Sequence, residues 1–412
     1  MVSINDPATR RKILASGGAI LGGSLAGCIS GGGSGGGDGT DTSSGGSDGG
    51  NGGDGGSDGG DSTDAGGGAE TFEVGHGDFQ TEVSAADFPE TLYVYAVQTG
   101  WSNWGSIMES FQEQYGVALN DDQRSSGEAL SDLRANAQDP THSAYNGGYT
   151  FGILAMQDGL LQPYKPDNWD KVPDKLKTDN GEMTATRRMT TAVTYRADIY
   201  EERGIEPPET WEDLKNPDIA QDLVFQPPQA AVGLAGALSI NNAYGGSIDD
   251  VQPVIDYYSE LQDMGATFRG NLEGDFTGGN IGTFVEYDYT GLDLKYNSDS
   301  IAEENVGVTL LTGPDGESGA LNQPYGYGML KDAPNPEACK LFMDYVLSLE
   351  GQRQFLDAYV RPIRAPELEM PDEFPAQSRY EETQFQVDYT ALVDNQESII
   401  ESIGEGVGLT GY

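Results

Sequence analysis

Apolar and polar residues alternate along the chain in a rhythm of short strands and amphipathic helices. Residues 91–97 are almost all β-branched, aliphatic or aromatic, which is typical of a strand. Apolar residues then recur at helical spacing from Trp104 to Tyr115. Ser102 or Asn103 is placed to cap this predicted helix, and Gly116 is placed to end it.

The same rhythm continues downstream. Residues 117–123 and 144–149 predict further strands, each followed by a helix, and the first of these helices opens at Ser125. Strands that alternate with helices indicate βαβ units and therefore an α/β fold. About 320 residues follow Glu90, which is long for a single hydrophobic core, so we expect two lobes.

A charged and then apolar segment precedes this body. Arg10 and Arg11 stand before an uncharged Gly- and Ala-rich run that ends at Cys28. A bilayer span needs about 20 predominantly apolar residues, and this run is shorter and interrupted by glycines. The pattern is typical of a twin-arginine lipoprotein signal over residues 1–27, with Cys28 carrying lipid after cleavage. The alternative is a chance cysteine after small residues.

The segment that follows Cys28 is of low complexity. Residues 28–69 are mostly Gly, Ser, Thr and Asp, a composition that cannot bury enough apolar surface to fold. A flexible coil of this length spans about 35 Å on average. We therefore expect a disordered tether that holds the folded body at the extracellular face of the cell membrane.

Acidic residues dominate the charge. The chain has 67 acidic and 22 basic residues, and its formal net charge is −45. The acids are spread along the whole body, which predicts adaptation to molar salt, where the Debye length of about 3 Å screens self-repulsion. The signal and the acidic composition together suggest a haloarchaeal source. No basic stripe is available for phosphate backbones, so nucleic acid is not expected as a partner.

Few residues offer catalytic or metal-binding chemistry. The chain has two histidines, His76 and His142, and two cysteines, of which Cys339 lies in a helical pattern typical of core packing. A Ser-His-Asp triad or a His-rich metal site is therefore not expected. A carboxylate pair of glycosidase type remains open, because acidic residues are so numerous. We expect no enzyme activity, no cofactor and no metal.

Several separated segments together resemble one protein family. They are Ser125–Leu130, Gly159–Tyr164, Pro208–Leu214 (PETWEDL), Asn335–Phe342 (NPEACKLF) and Ser348–Gln352. In this order and at these separations the chain resembles the extracellular solute-binding proteins of ABC importers, in the cluster of iron, polyamine, thiamine and phosphonate binders.

This resemblance implies the two-lobed periplasmic-binding-protein type II fold, with the ligand in the cleft between the lobes. By analogy lobe 1 comprises residues 90–188 and 326–360, and lobe 2 comprises residues 189–325 and 361–412. It also implies a monomer that delivers a small-molecule solute to ABC permease subunits.

Candidate ligand contacts follow the strands of lobe 1, where open α/β sheets bind ligands. Trp101 can stack on a planar or cationic group, or it covers the lobe edge. Ser126 and Gly127 start a helix and can donate to a polar or anionic group, although ordinary capping needs the same residues. Tyr149 follows two glycines at the end of the third strand.

Lobe 2 and the later crossing segment supply the other candidates. Gln229 precedes an Ala-rich helix, in a turn that contacts ligand in the family. Tyr287, Asp288 and Tyr289 form the densest polar and aromatic cluster of the chain, after an apolar strand at residues 281–285. Tyr325 lies at an expected crossing between the lobes, where it can also be a packing residue.

The solute is not specified by these residues. Ferric binders of the family use two adjacent tyrosines with a histidine and an acid, whereas this chain has Tyr287-Asp288-Tyr289 and no such histidine. The aromatic cleft suits a small organic compound, which can be a polyamine- or thiamine-like cation held by cation–π contacts and Asp288. The alternatives are ferric iron, a tethered hydrolase, and a surface sensor or adhesin.

Overall fold

The computed structural model describes residues 69–96, 100–270 and 272–409, and it leaves the side chain of Trp101 undescribed. The predicted export signal with Arg10 and Arg11, the predicted lipid site at Cys28 and the predicted tether up to residue 68 lie outside these residues. Residues 69–409 belong to one compact unit. None of the described helices is long and apolar enough to cross a membrane.

Strands and helices alternate through this unit, as the hydrophobic rhythm predicts. The strands are β1 Thr71–Val74, β2 Thr81–Ser84, β3 Thr91–Ala96, β4 Ala118–Gln123, β5 Ala144–Gly148, β6 Leu161–Gln162, β7 Thr184–Arg196, β8 Leu223–Phe225, β9 Thr267–Phe268, β10 Thr283–Tyr287, β11 Val306–Thr309, β12 Ala320–Leu330, β13 Arg361–Pro362 and β14 Gln384–Phe385. The α-helices are α1 Trp104–Tyr115, α2 Ser126–Ala135, α3 Tyr149–Gln157, α4 Ala197–Arg203, α5 Pro217–Ala220, α6 Ala231–Ala243, α7 Gln252–Asp263, α8 Leu272–Thr277, α9 Asp288–Tyr296, α10 Pro336–Leu347, α11 Leu349–Gln354, α12 Gln377–Thr383 and α13 Tyr389–Gly406.

Local sequence signals account for several helix ends. Helix α2 begins with a capping box, in which the Ser125 hydroxyl accepts from the Glu128 N–H and the Glu128 carboxylate accepts from the Ser125 N–H. Helix α1 ends at Gly116, whose φ of 73° favours glycine. Asn103 occupies the predicted N-cap position of α1, but its side chain makes no capping hydrogen bond and instead donates to the Gln354 carbonyl oxygen at 2.7 Å.

One hydrogen-bonded sheet runs through both halves of the unit. Its strands follow the order β4-β3-β5-β12-β7-β10-β8-β9, with β11 and β13 on β7, and with β6 and β14 on β12. Strands β3, β4 and β5 are parallel to one another, and so are β8, β9 and β10. Each parallel group forms the sheet of one lobe, and helices cover it.

Two long strands connect the lobes. Strand β7 pairs with β12 from Thr184 to Thr190 and with β10 from Thr191 onward. It therefore changes partners at its middle, where the chain passes from one lobe to the other. The lobe limits given above stay a prediction, because both crossing strands belong to a continuous sheet.

Aromatic clusters fill the core of each lobe. In lobe 1 the Phe342 ring centroid lies 4.9 Å from that of Phe111 and 5.6 Å from that of Trp104. In lobe 2 the Tyr258 ring packs against Phe225 and Phe268 with centroids 4.8 and 4.9 Å away. The C-terminal helix α13 packs against α3 of lobe 1 and α7 of lobe 2, so it contacts both lobes.

Candidate binding cleft between the lobes

The carboxyl ends of strands from both lobes meet at the middle of the two crossing strands. Gly148, the last residue of β5, pairs with Tyr325 of β12, and Tyr325 in turn pairs with Arg187 of β7. Tyr287, the last residue of β10, pairs with Thr191 of β7. Ligands of open α/β sheets bind beyond the carboxyl ends of strands, so this junction is the candidate site.

A buried arginine lies at the lobe 1 side of this junction. Arg187 has no exposed surface, and its Nη1 donates to Asn146 Oδ1 at 2.9 Å and to Thr186 Oγ1 at 3.2 Å. Its Nε and Nη2 have no hydrogen-bond partner among the described residues. Burial lowers the pKa of Arg187 to about 10, and the neighbouring hydroxyls of Tyr325, Tyr289 and Tyr145 oppose that shift.

Aromatic rings surround the guanidinium. Its central carbon lies 5.2 Å from the Tyr325 ring centroid and 5.4 Å from the centroids of Trp104 and Phe355. These distances are within the range of cation–π contact. The rings therefore stabilise the faces of the cation, whereas its Nε–Nη2 edge has no hydrogen-bond acceptor among the described residues.

Other buried polar atoms near Arg187 also lack partners among the described residues. They are Asn146 Nδ2 and Trp104 Nε1. Ser102 Oγ, two residues before Trp104 in the chain, is another buried polar atom without a partner among those residues. Ser102 is 1% exposed and has φ 55°, a left-handed conformation that a non-glycine residue adopts at a cost. Buried polar groups in proteins are usually hydrogen-bonded, so this cluster of donors is an exception that needs an explanation.

Tyrosines of lobe 2 lie next to the Tyr325 ring that covers Arg187. The ring of Tyr287 meets that of Tyr325 edge-on, with centroids 6.4 Å apart, and stacks near Tyr289 at 6.2 Å. Burial raises the pKa of Tyr287 and Tyr289 well above the ordinary value. Both hydroxyls therefore stay protonated at neutral pH and can donate hydrogen bonds.

Asp288 is occupied by contacts within the protein. Its Oδ1 accepts from the backbone N–H groups of Thr190 and Tyr289, each at 3.0 Å, and its Oδ2 accepts from Tyr380 Oη at 2.7 Å. Burial raises the pKa of Asp288, and these hydrogen bonds oppose the shift. The carboxylate thus links lobe 2 to the crossing strand β7 and to helix α12.

Ser126, Gly127 and Tyr149 form a second group. Ser126 Oγ accepts from the Gly148 N–H at 2.9 Å, and a Cβ on Gly127 would lie 3.4 Å from the Phe151 ring. The Tyr149 ring is buried and meets the ring of Tyr389 at 5.8 Å. In this structure these residues join β5, α2, α3 and α13.

Gln229 lies at the edge of a crevice beside this second group. Its side chain is exposed and approaches Gly404 of helix α13. The crevice is lined by the starts of α3 and α6 together with Gln323 and Gln396. Of the predicted residues, Tyr325 therefore covers Arg187 and contacts Tyr287, which lies beside Tyr289. Gln229 lines the crevice. Trp101 precedes α1, with its side chain undescribed.

Sequence reasoning missed Arg187 and Asn146. A signal was present, because Arg187 and Arg188 interrupt a long strand that otherwise reads as a buried one, in a chain with few basic residues. Among the described residues no group of three or more His, Cys, Asp or Glu side chains could hold a metal ion. Cys339 is buried in α10, and burial raises the pKa of its thiol to about 12.

These features describe a two-lobed α/β protein with a candidate cleft at the crossing strands, and comparison with known proteins assigns its family. Residues 106–379 match the family described as bacterial extracellular solute-binding protein, and the chain belongs to that family. Proteins of this family bind a small solute outside the cytoplasm for an ABC permease, and they are transport proteins rather than enzymes. An uncharacterized protein of Haemophilus influenzae is 25% identical over 259 residues, which are 59% of this chain and 69% of that protein.

Solved structures share the fold. The periplasmic binding protein AfuA of Actinobacillus pleuropneumoniae, with fructose 6-phosphate bound, is 17% identical, and the match covers 78% of this chain and 99% of AfuA with a TM-score of 0.64. Iron-bound HitA of Pseudomonas aeruginosa is 18% identical over 77% of this chain and 100% of HitA, with a TM-score of 0.64. The two-lobed α/β fold predicted from the sequence is confirmed.

Proposed function

We propose that this protein is the solute receptor of an ABC importer, which captures one small organic solute between its lobes and delivers it to the permease subunits. One observation carries the proposal. Buried donors of lobe 1 lie beside Tyr325, whose ring contacts Tyr287 of lobe 2, and several of those donors lack partners among the described residues. A solute that contacts both sides stabilises the closed arrangement of the lobes, which the permease can recognise.

The chemistry of the cleft favours an organic solute over ferric iron. A ferric site would need phenolate and carboxylate oxygens, but Asp288 already accepts three hydrogen bonds from the protein. A cationic solute, which the sequence suggested, would rely on the same carboxylate and would approach the buried cation of Arg187.

The anchoring of the protein belongs to the same proposal. We infer that Cys28 carries lipid and that residues 28–69 tether a monomeric receptor to the extracellular face of a halophile's membrane. The lipoprotein signal in the sequence and the net charge of −45 support this inference. Replacing Cys28 with serine should release the folded receptor into the medium, whereas a receptor that stays on the membrane would contradict it.

Binding can be tested directly with protein purified in molar KCl. We expect native mass spectrometry to detect one co-purified small molecule per chain, and isothermal titration to give saturable binding of it to stripped protein. Small-angle scattering should then report a smaller radius of gyration on binding, because the lobes close. A stripped protein that binds no member of a broad metabolite library, and is stabilised by none, would refute the proposed function.

A further inference from the structure

The unpaired state of Arg187 does not come from a shortage of carboxylates. The chain has 67 acidic residues against 22 basic ones. Within the described part of the chain seven arginines form ion pairs, namely Arg124, Arg134, Arg196, Arg203, Arg269, Arg364 and Arg379. Arg187 is fully buried and forms no ion pair with any residue that the structure describes, although an isolated buried charge is expensive unless it is paired.

The unpaired atoms define a specific geometry. Asn146 and Thr186 accept from Nη1, and the rings of Trp104, Tyr325 and Phe355 cover the guanidinium. Nε and Nη2 remain. These two nitrogens form one edge of the guanidinium, with two nearly parallel N–H bonds that match the two oxygens of a carboxylate or phosphoryl group.

The surroundings of this edge also favour an anion. The nearby unpaired atoms Asn146 Nδ2 and Trp104 Nε1 are donors, and the hydroxyls of Tyr287 and Tyr289 remain protonated. The pKa of Arg187 is about 10, so it stays cationic at neutral pH.

We propose that Arg187 binds the anionic group of the solute side-on through Nε and Nη2, and that the transported compound is therefore an organic carboxylate or an organophosphate. The proposal deepens the function proposed above and rests on it. Arg187 and Asn146 hold the anion from lobe 1, and Tyr287 and Tyr289 close on the same solute from lobe 2.

The test compares two substitutions of Arg187 with a matched control. Wild-type protein and the variants Arg187→Met, Arg187→Lys and Arg364→Lys are purified from the native host in molar KCl. Arg364 is also buried, but it is paired with Glu367 and the Leu347 carbonyl oxygen, so its substitution controls for the loss of a buried guanidinium. The co-purified compound is released, identified by mass, and titrated back into each stripped protein.

We expect the released compound to carry a carboxylate or a phosphoryl group, and its mass and its titration near pH 6 distinguish the two. Arg187→Met should weaken binding by at least about 100-fold and Arg187→Lys by about 10-fold, because the lysine ammonium cannot form the bidentate pair. Arg364→Lys should bind within about threefold of wild type.

Stability supplies a second readout that does not depend on the solute. Stripped Arg187→Met should melt at or above the temperature of stripped wild type, because it removes an unpaired buried charge. A lower melting temperature would make Arg187 a structural residue and overturn the proposal. A released cation or metal ion, or an anion that Arg187→Met retains with wild-type affinity, would also overturn it while leaving the receptor function intact. Absence of any solute would instead refute the receptor function.

Discussion

The contacts of Asp288 predict that this carboxylate stabilises the junction of the lobes rather than binding the solute. Two substitutions separate these roles. Asp288→Ala removes the acceptor for Thr190, Tyr289 and Tyr380 at once. Asp288→Asn keeps Oδ1 for the two backbone donors and places an amide nitrogen opposite the Tyr380 hydroxyl, whose oxygen can accept from it.

The magnitudes follow from the number of donors left without a partner. A buried unsatisfied donor costs about 1–3 kcal/mol, so three donors give about 3–5 kcal/mol for Asp288→Ala once local relaxation and the relieved desolvation of the carboxylate are allowed for. Asp288→Asn leaves one hydroxyl proton without an acceptor and removes the charge that Arg361 faces. We expect that variant to cost about 1–2 kcal/mol.

Thermal unfolding in molar KCl, followed by circular dichroism, measures these costs. The melting temperature should fall by about 2 °C or more for each kcal/mol, so the alanine variant should lose clearly more than the asparagine variant. Stripped Asp288→Asn should bind the co-purified solute within about threefold of wild type. Loss of binding in Asp288→Asn with an unchanged melting temperature would refute the reasoning, because Asp288 would then contact the solute directly.

Four further predictions concern the fold. Burial raises the pKa of Asp344 to about 6, above the value expected in the unfolded chain. Its stabilising contribution is therefore full below about pH 4 and is lost as the pH rises through 6. Between pH 4 and pH 8 the free energy of unfolding of wild type should fall by up to about 3 kcal/mol relative to that of Asp344→Asn. Equal pH profiles would contradict this expectation. Ser125→Ala removes the cap of α2 and should cost about 1 kcal/mol in chemical denaturation, whereas no loss would mean that the capping box contributes nothing. Gly233→Ala places a Cβ in steric overlap with the Pro227 carbonyl oxygen and should lower the melting temperature and the soluble yield. A melting curve like that of wild type would contradict this expectation. Finally, the net charge of −45 predicts a melting temperature that rises from dilute to molar KCl, measured by scanning fluorimetry, and a salt-independent value would argue against self-repulsion.

Local patterns in the sequence predicted most of the regular structure. The strand predicted at residues 91–97 is confirmed over Thr91–Ala96 by β3, and the helix from Trp104 to Tyr115 is confirmed by α1. The predicted helix start at Ser125 is confirmed by the capping box of α2. These features depend on side-chain periodicity and on contacts within a few residues, so the sequence contains their physical causes. The order of the family motifs then predicted the two-lobed fold.

The assignments within the cleft depend on contacts between distant parts of the chain. The polar and aromatic cluster around Asp288 predicted a ligand-binding residue. In the structure its carboxylate instead accepts hydrogen bonds from Thr190 and Tyr380, which are 98 and 92 residues away in the chain. Those contacts exist only because β10, β7 and α12 converge at the junction. No local pattern could have predicted which partners would occupy the carboxylate.

The sequence by itself determined the rhythm of strands and helices, the acidic charge and the family of this protein. Only the tertiary structure decided which side chains are buried without partners. Arg187 is one of several arginines in the sequence, and it becomes distinctive because β5, β7 and β12 place it among aromatic rings, where it forms no ion pair with any described residue. The free energy of a charged group depends on its surroundings in three dimensions, and sequence distance does not determine those surroundings.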